Sequence, residues 1–245
     1  TQVMGNCGVS AAPTRDFEPY HGPLDPAMTR DLRCDWEHFE DYFHRLEAQG
    51  LGTNTATLVG HGNIRVAAMG YDDRPPTPAE MERMKGLTAR AMEDGALGLS
   101  SGLAYAPGPY AALDELVELG KVIGEYNGIY TSHIRNQTES IAEEFSEVIA
   151  VGEQAAVAAH GSHMQPGAPM LGATRDLLAT IDQKRREGHD ISCDAIPYTI
   201  GSTTLKSLLP PWALDGGDQA LLQRLRDPET RDKIKADTML HLSLI

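Results

Sequence analysis

The sequence has little cysteine, no long apolar run and no excess of positive charge, and each shortage excludes something. Its three cysteines, Cys7, Cys34 and Cys193, are too few and too scattered for a disulfide framework, which fits a reducing compartment. No apolar stretch approaches the roughly 18 residues needed to span a bilayer, and no secretory leader is expected from the opening residues. A cytoplasmic location is expected. Basic residues number 21 against 35 acidic ones, a formal charge of −14, with no basic run anywhere. A nucleic-acid backbone and an anionic membrane surface are therefore poor partners, and neither is expected. Neither common glycine-rich phosphate loop occurs. No repeat, linker or low-complexity tract divides residues 1–245, which read as one domain. What is present is ordinary globular material, 41% hydrophobic and 23% charged.

Short apolar runs alternate with amphipathic segments along the chain. Strands are predicted at Gln2–Cys7, Thr55–Gly60, Ala96–Ser101, Ile129–His133, Ala155–Ser162 and Asp190–Ile196, as near-continuous apolar runs suited to a parallel sheet covered on both faces. Helices are predicted over about 36–50, 78–94, 110–126, 139–152, 175–187 and 218–235. The second is marked by the capping box Thr77-Pro78-Ala79-Glu80, and the last is interrupted by Pro228. This is an α/β chain of six β-loop-α units; eight such units close a barrel, whereas six leave an open parallel sheet. The chain starts inside what reads as a strand and stops on an apolar run, so both ends are expected to be cut from a longer protein.

In such folds the chemistry lies in the loops after the strands. Cys7, His133 and His163 each fall at or just past a predicted strand end, where their side chains can converge. A thiolate with two imidazoles makes a zinc set that keeps a fourth position for water or substrate. Each of the three, taken alone, is more often a packed or hydrogen-bonded strand-end residue. Gly98-Leu99-Ser100-Ser101-Gly102 matches the nucleophile-elbow pattern, but no helix follows at once, as that motif requires. His61, between glycines, can line a site or shape a loop, and His160 is expected to point into the sheet. Arg65 and Arg135 can bind an anion bidentately or form structural ion pairs.

Five motifs, in order, resemble the N-acyl-D-amino-acid deacylases (D-aminoacylases) of the amidohydrolase superfamily. They are Gly5-Asn6-Cys7-Gly8-Val9-Ser10 with Ala12-Pro13; Leu58-Val59-Gly60-His61-Gly62 with Arg65; Met92 through Leu103; Tyr130 through Arg135; and Asp194-Ala195-Ile196-Pro197-Tyr198 with Gly201-Ser202-Thr203. The resemblance implies a (β/α)8 TIM barrel of the metal-dependent hydrolase type, of which this chain carries six of eight units, strands two to seven. It implies zinc (Zn) held by Cys7, His133 and His163. Arg135, Arg65, Gln165, Tyr198 and His61 then stand on the substrate side, and the substrate is a small-molecule N-acyl amino acid. The family's His-x-His pair and its general-base aspartate are absent from this sequence. Asp194 is the nearest internal carboxylate, in a position the family pattern makes structural. Gln165 stands where the family often has Lys, and Ile196 where it commonly has Tyr. The segment alone is expected to be inactive. Two alternatives are cyclic-amide hydrolysis, which usually employs a bridging Lys absent from these strand ends, and a non-catalytic binding or oligomerisation module. Assembly into a homo-oligomer is compatible with the sequence.

Overall fold

The computed structural model describes residues 1–14, 34–135, 141–165, 172, 174–197, 203 and 205–243. Seven strands and eight α-helices occur among them: β1 Gln2–Met4, α1 Phe39–Gln49, β2 Thr55–Thr57, β3 Val59–Gly60, α2 His61–Met69, α3 Pro78–Glu93, β4 Gly98–Gly102, α4 Leu113–Gly124, β5 Ile129–His133, α5 Ile141–Ala155, β6 Ala158–Gly161, α6 Thr174–Arg186, β7 Ile191–Cys193, α7 Gly217–Arg226 and α8 Pro228–Ser243. Every pairing is parallel. One ladder joins β1 to β2, and the other runs β3-β4-β5-β6-β7.

The predicted strand Thr55–Gly60 is present but divided at Leu58. Its first half pairs with β1 and its second with β4, so one extended segment links the two ladders. Other boundaries move. Ala155 belongs to α5 rather than to a strand, the first strand stops at Met4, and the last covers only Ile191–Cys193, which leaves Cys7 and Asp194 in the turns beyond. Pro228 splits the predicted last helix into α7 and α8, since a proline cannot continue a hydrogen-bond ladder. The helix α2 was not predicted. It starts in Gly-His-Gly with no side-chain cap and is buried on nearly all sides, so it shows no amphipathic stripe.

The register organises the core. Val59, Leu99, Tyr130, Ala159 and Ile191 are aligned partners across five strands, and all are buried. They join Leu116, Leu119 and Ile123 of α4 and Phe145, Val148 and Val151 of α5 in one cluster. The next row, Ser100, Thr131, His160 and Ser192, faces the other way because successive strand residues alternate. Thr131, His160 and Ser192 line a cavity of about 440 Å³ shared with Asn6, Asp190 and Asp194. The strands therefore alternate, with one polar face, instead of being apolar on both. The capping box of α3 forms as predicted: the Thr77 hydroxyl accepts from Glu80 N–H and the Glu80 carboxylate from Thr77 N–H. A smaller apolar cluster of Ala213, Leu221 and Ile234 belongs to α7, α8 and the turn before them. All three cysteines are free, and among the described residues no helix is long and apolar enough to cross a membrane.

Candidate metal centre

The turn Gly5-Asn6-Cys7-Gly8 follows β1 and lies directly on the end of β4. A Cβ on Gly8, whose φ is +76°, would stand 2.5 Å from Gly102 N, and one on Gly102 would stand 2.0 Å from Cys7 O. Only glycine permits so close a backbone approach, and it seats Cys7 beside the strand ends. Cys7 itself has φ +56°, and His163, two residues beyond β6, has φ +41°. Both lie in the left-handed region that side chains other than glycine rarely adopt. His133 is the last residue of β5.

These three residues meet. Cys7 Sγ lies 3.4 Å from His163 Nε2, and His163 Nε2 lies 2.8 Å from His133 Nδ1. One donor atom from each falls within 4.8 Å of the others. Burial, then the nearby Asp194 charge, pushes the Cys7 thiol up to about 11. Burial, then His163, holds His133 down to about 3, and burial also lowers His163. The pocket thus favours neutral imidazoles with lone pairs available, together with a thiol that needs a cation to ionise it. Bonds of about 2.3 Å to sulfur and 2.0–2.1 Å to nitrogen place tetrahedral ligand atoms roughly 3.3–3.6 Å apart. The Cys7–His163 separation matches that spacing, whereas the two imidazole nitrogens, in hydrogen-bond contact at 2.8 Å, would part by about half an ångström to share an ion; the donor set itself suits zinc.

A polar brace lies beneath the trio. Asn6 Oδ1 accepts from Thr131 Oγ1 at 3.0 Å and from Ser162 Oγ at 3.2 Å. Those residues stand one or two positions before Cys7, His133 and His163, so the brace ties the three turns together. Tyr105 packs its ring 4.6 Å from that of His133, with its hydroxyl 3.5 Å from Nδ1. Burial, then Cys7, pushes the Tyr105 phenol up to about 12. The sequence reading missed Asn6 and Tyr105, and only their nearness to the Cys and His positions could have indicated them.

The remaining predicted residues are placed elsewhere. Arg65 is fully buried, with its guanidinium 2.5 Å from Glu115 and donating to the Arg74 carbonyl at 2.6 Å. His61 is also fully buried, its Nε2 2.7 Å from Glu115. Burial raises the Glu115 pKa, but His61 and Arg65 outweigh it and hold the carboxyl below its ordinary value. Neither His61 nor Arg65 offers surface to a substrate, because each anchors α2 to α4. Arg135 is likewise occupied, pairing with Glu147 at 2.9 and 3.0 Å and donating to the carbonyls of Pro109 and Ala111. Gln165 Oε1 accepts from Ile196 N–H at 2.7 Å, and Tyr198 lies outside the described residues. His160 faces the cavity rather than the sheet interior, bridging Ser192 and Asp194. Burial raises the Asp194 pKa, but hydrogen bonds from His160 and from His163 N–H, with the charges of both rings, outweigh it and hold the carboxyl below its ordinary value. Ser100 lies inside β4, fully buried and bonded to Gly5 and Gly8, so the elbow match carries no nucleophile. A second cluster, Glu153, Glu187 and His189, already holds Lys184, 2.8 and 3.1 Å from the two carboxylates.

No protein-family model matches the chain. The N-acyl-D-glutamate deacylase of Alcaligenes xylosoxydans xylosoxydans is 40% identical over 209 residues, 83% of this chain and 41% of that protein. A solved D-aminoacylase, described as defining a novel subset of amidohydrolases, superposes with a TM-score of 0.73 at 32% identity, over 82% of this chain and 42% of that one. The chain belongs to the D-aminoacylase family of amidohydrolases. Another solved relative, the N-acyl-D-glutamate deacylase of Bordetella bronchiseptica in complex with zinc and a phosphonate mimic of the tetrahedral intermediate, gives 0.71 at 39%, over 80% of this chain and 41% of that one. The chain spans about two fifths of the length of these D-aminoacylase relatives. Its helix-covered parallel sheet is the wall of the (β/α)8 barrel fold.

Proposed function

We propose that this chain forms the metal-holding part of a zinc-dependent amidohydrolase that cleaves the amide bond of N-acyl-D-amino acids. The convergence of Cys7, His133 and His163 carries the reading, and the zinc complex of a relative 39% identical supports it. Bound zinc would supply Lewis acidity toward the acyl carbonyl and lower the pKa of its water to about 7. The chain's own residues prepare for that ion. Burial keeps both imidazoles unprotonated, and Cys7 gives up its proton on binding. The Tyr105 ring packs against His133 and restricts its rotation. Both oxygens of Asp194 are engaged by His160 and the His163 backbone, so the carboxylate that moves the proton to the leaving amine is assigned to a segment beyond these 245 residues. Gln165 and Tyr198 stay in the proposed substrate-side set, whereas Arg65, Arg135 and His61 leave it.

The test has two parts. Wild-type chain titrated with zinc is expected to take up the ion, weakly or partially, and Cys7→Ala to lose that uptake; equal zinc in both would overturn the trio. A version extended at both ends is expected to release free amino acid from N-acyl-D-amino acids where the 245-residue chain does not. Turnover by the short chain would overturn the external assignment of the base.

A further inference from the structure

The turns after β6 and β7 are laced together. Asp194 N–H donates to Gly161 O at 3.1 Å, Met164 N–H donates to Asp194 O at 2.8 Å, and Gln165 reaches across to Ile196 N–H. Within this lacing the Asp194 carboxylate is divided between two tasks. Oδ1 accepts the backbone N–H of His163, and Oδ2 lies 3.0 Å from His160 Nε2. His160 is fixed in turn through Nδ1, 2.8 Å from Ser192 Oγ. The bonded N–H belongs to a residue at φ +41°, a conformation that persists only where its surroundings impose it. The direction of that N–H sets the Cα–Cβ vector, and hence where the imidazole projects. Among the described residues, Asp194 does not join the Cys7–His133–His163 group as a third-party donor; it holds the main chain of one member.

We infer that Asp194 is a positioning residue of the metal centre: it fixes the His163 backbone and, held by His160, sets the direction from which that imidazole meets Cys7 and His133. This inference rests on the trio being the zinc site. Partners beyond the ligands themselves typically change metal affinity by about 10–100-fold when removed. Geometry and charge predict different outcomes here. Asp194→Asn keeps the reach and one acceptor but drops the charge, whereas Asp194→Glu keeps the charge and pushes both oxygens out by a methylene.

Zinc affinity of the full chain is measured by chelator competition, alongside the thiolate-to-cobalt charge-transfer band of the cobalt-substituted protein and the thermal midpoint. Asp194→Ala is expected to bind zinc about 10–100-fold more weakly. Asp194→Asn should stay within about threefold of wild type, and Asp194→Glu should fall below Asp194→Asn with a shifted cobalt band. If Asp194→Ala does not fold, the Asn-over-Glu order alone decides. Glu equal to or above Asn, or all variants matching wild type, would overturn the inference while leaving the zinc site standing. A wild-type chain that binds no zinc overturns the proposed function and this inference together.

Discussion

Cys7 and His163 are held in the left-handed backbone region, one by glycine-tight docking on β4 and the other by a carboxylate on its N–H. Strain of this kind persists when the surrounding structure over-determines it. With burial pushing the Cys7 thiol up to about 11, zinc binding through that sulfur would release a proton at neutral pH. Calorimetric zinc titration at pH 7.5 in two buffers of different ionisation heat is expected to show close to one proton released per ion. A value near zero would mean that the sulfur is not a ligand. Beneath the trio, Asn6→Ala removes an acceptor shared by two hydroxyls, at a cost of about 1–3 kcal/mol read from the urea midpoint. The trio itself was legible because Cys and His are scarce and stand where apolar runs stop. Asn6 and Tyr105 were not, since an Asn or a Tyr in a loop is ordinary and only three-dimensional proximity gives either a task.

At the scale of elements, the docking of α2 on α4 depends on Glu115 lying between His61 and Arg65 with almost no solvent contact. Desolvation makes such a cluster a weak source of net stability, yet removing one member strands a buried charge at a cost of about 3–5 kcal/mol. Glu115→Gln is therefore expected to lower unfolding free energy by about that much, measured by urea denaturation. The folded-state pKa of Glu115 lies below its ordinary 4.5, so its contribution is complete above that pH and is lost as pH falls below it. Wild type should lose stability over that acidic range more steeply than Glu115→Gln; parallel curves would contradict the assignment. Here the sequence misled in an instructive way. Gly60-His61-Gly62 and Arg65 looked like ligand-binding material, because a buried ion cluster uses the same residue types as an anion site and differs only in what surrounds it. The α3 helix was legible to its first residue, since Thr77 and Glu80 cap it by local hydrogen bonds that need no tertiary context.

Across the whole molecule, one row of strand residues faces the helices and the next faces the cavity, and the candidate metal centre lies at the strand ends. Tyr130 sits mid-row, fully buried, its hydroxyl 2.7 Å from Ser101 Oγ. Tyr130→Ala is expected to cost about 3–5 kcal/mol, as large aromatic truncations in cores do, with a matching fall in the urea midpoint. The order of β-α units was readable from alternating apolar runs and caps. The polar inner row was not, because small residues such as Ser100 and Thr131 blend into runs that look continuously apolar. Whether Cys7, His133 and His163, far apart in sequence, grip one ion is read from zinc-edge X-ray absorption of the purified full chain. The predicted spectrum has one sulfur at about 2.3 Å and two imidazole nitrogens at about 2.0–2.1 Å, with the sulfur shell lost in Cys7→Ala. A wild-type spectrum containing only nitrogen and oxygen ligands would contradict it.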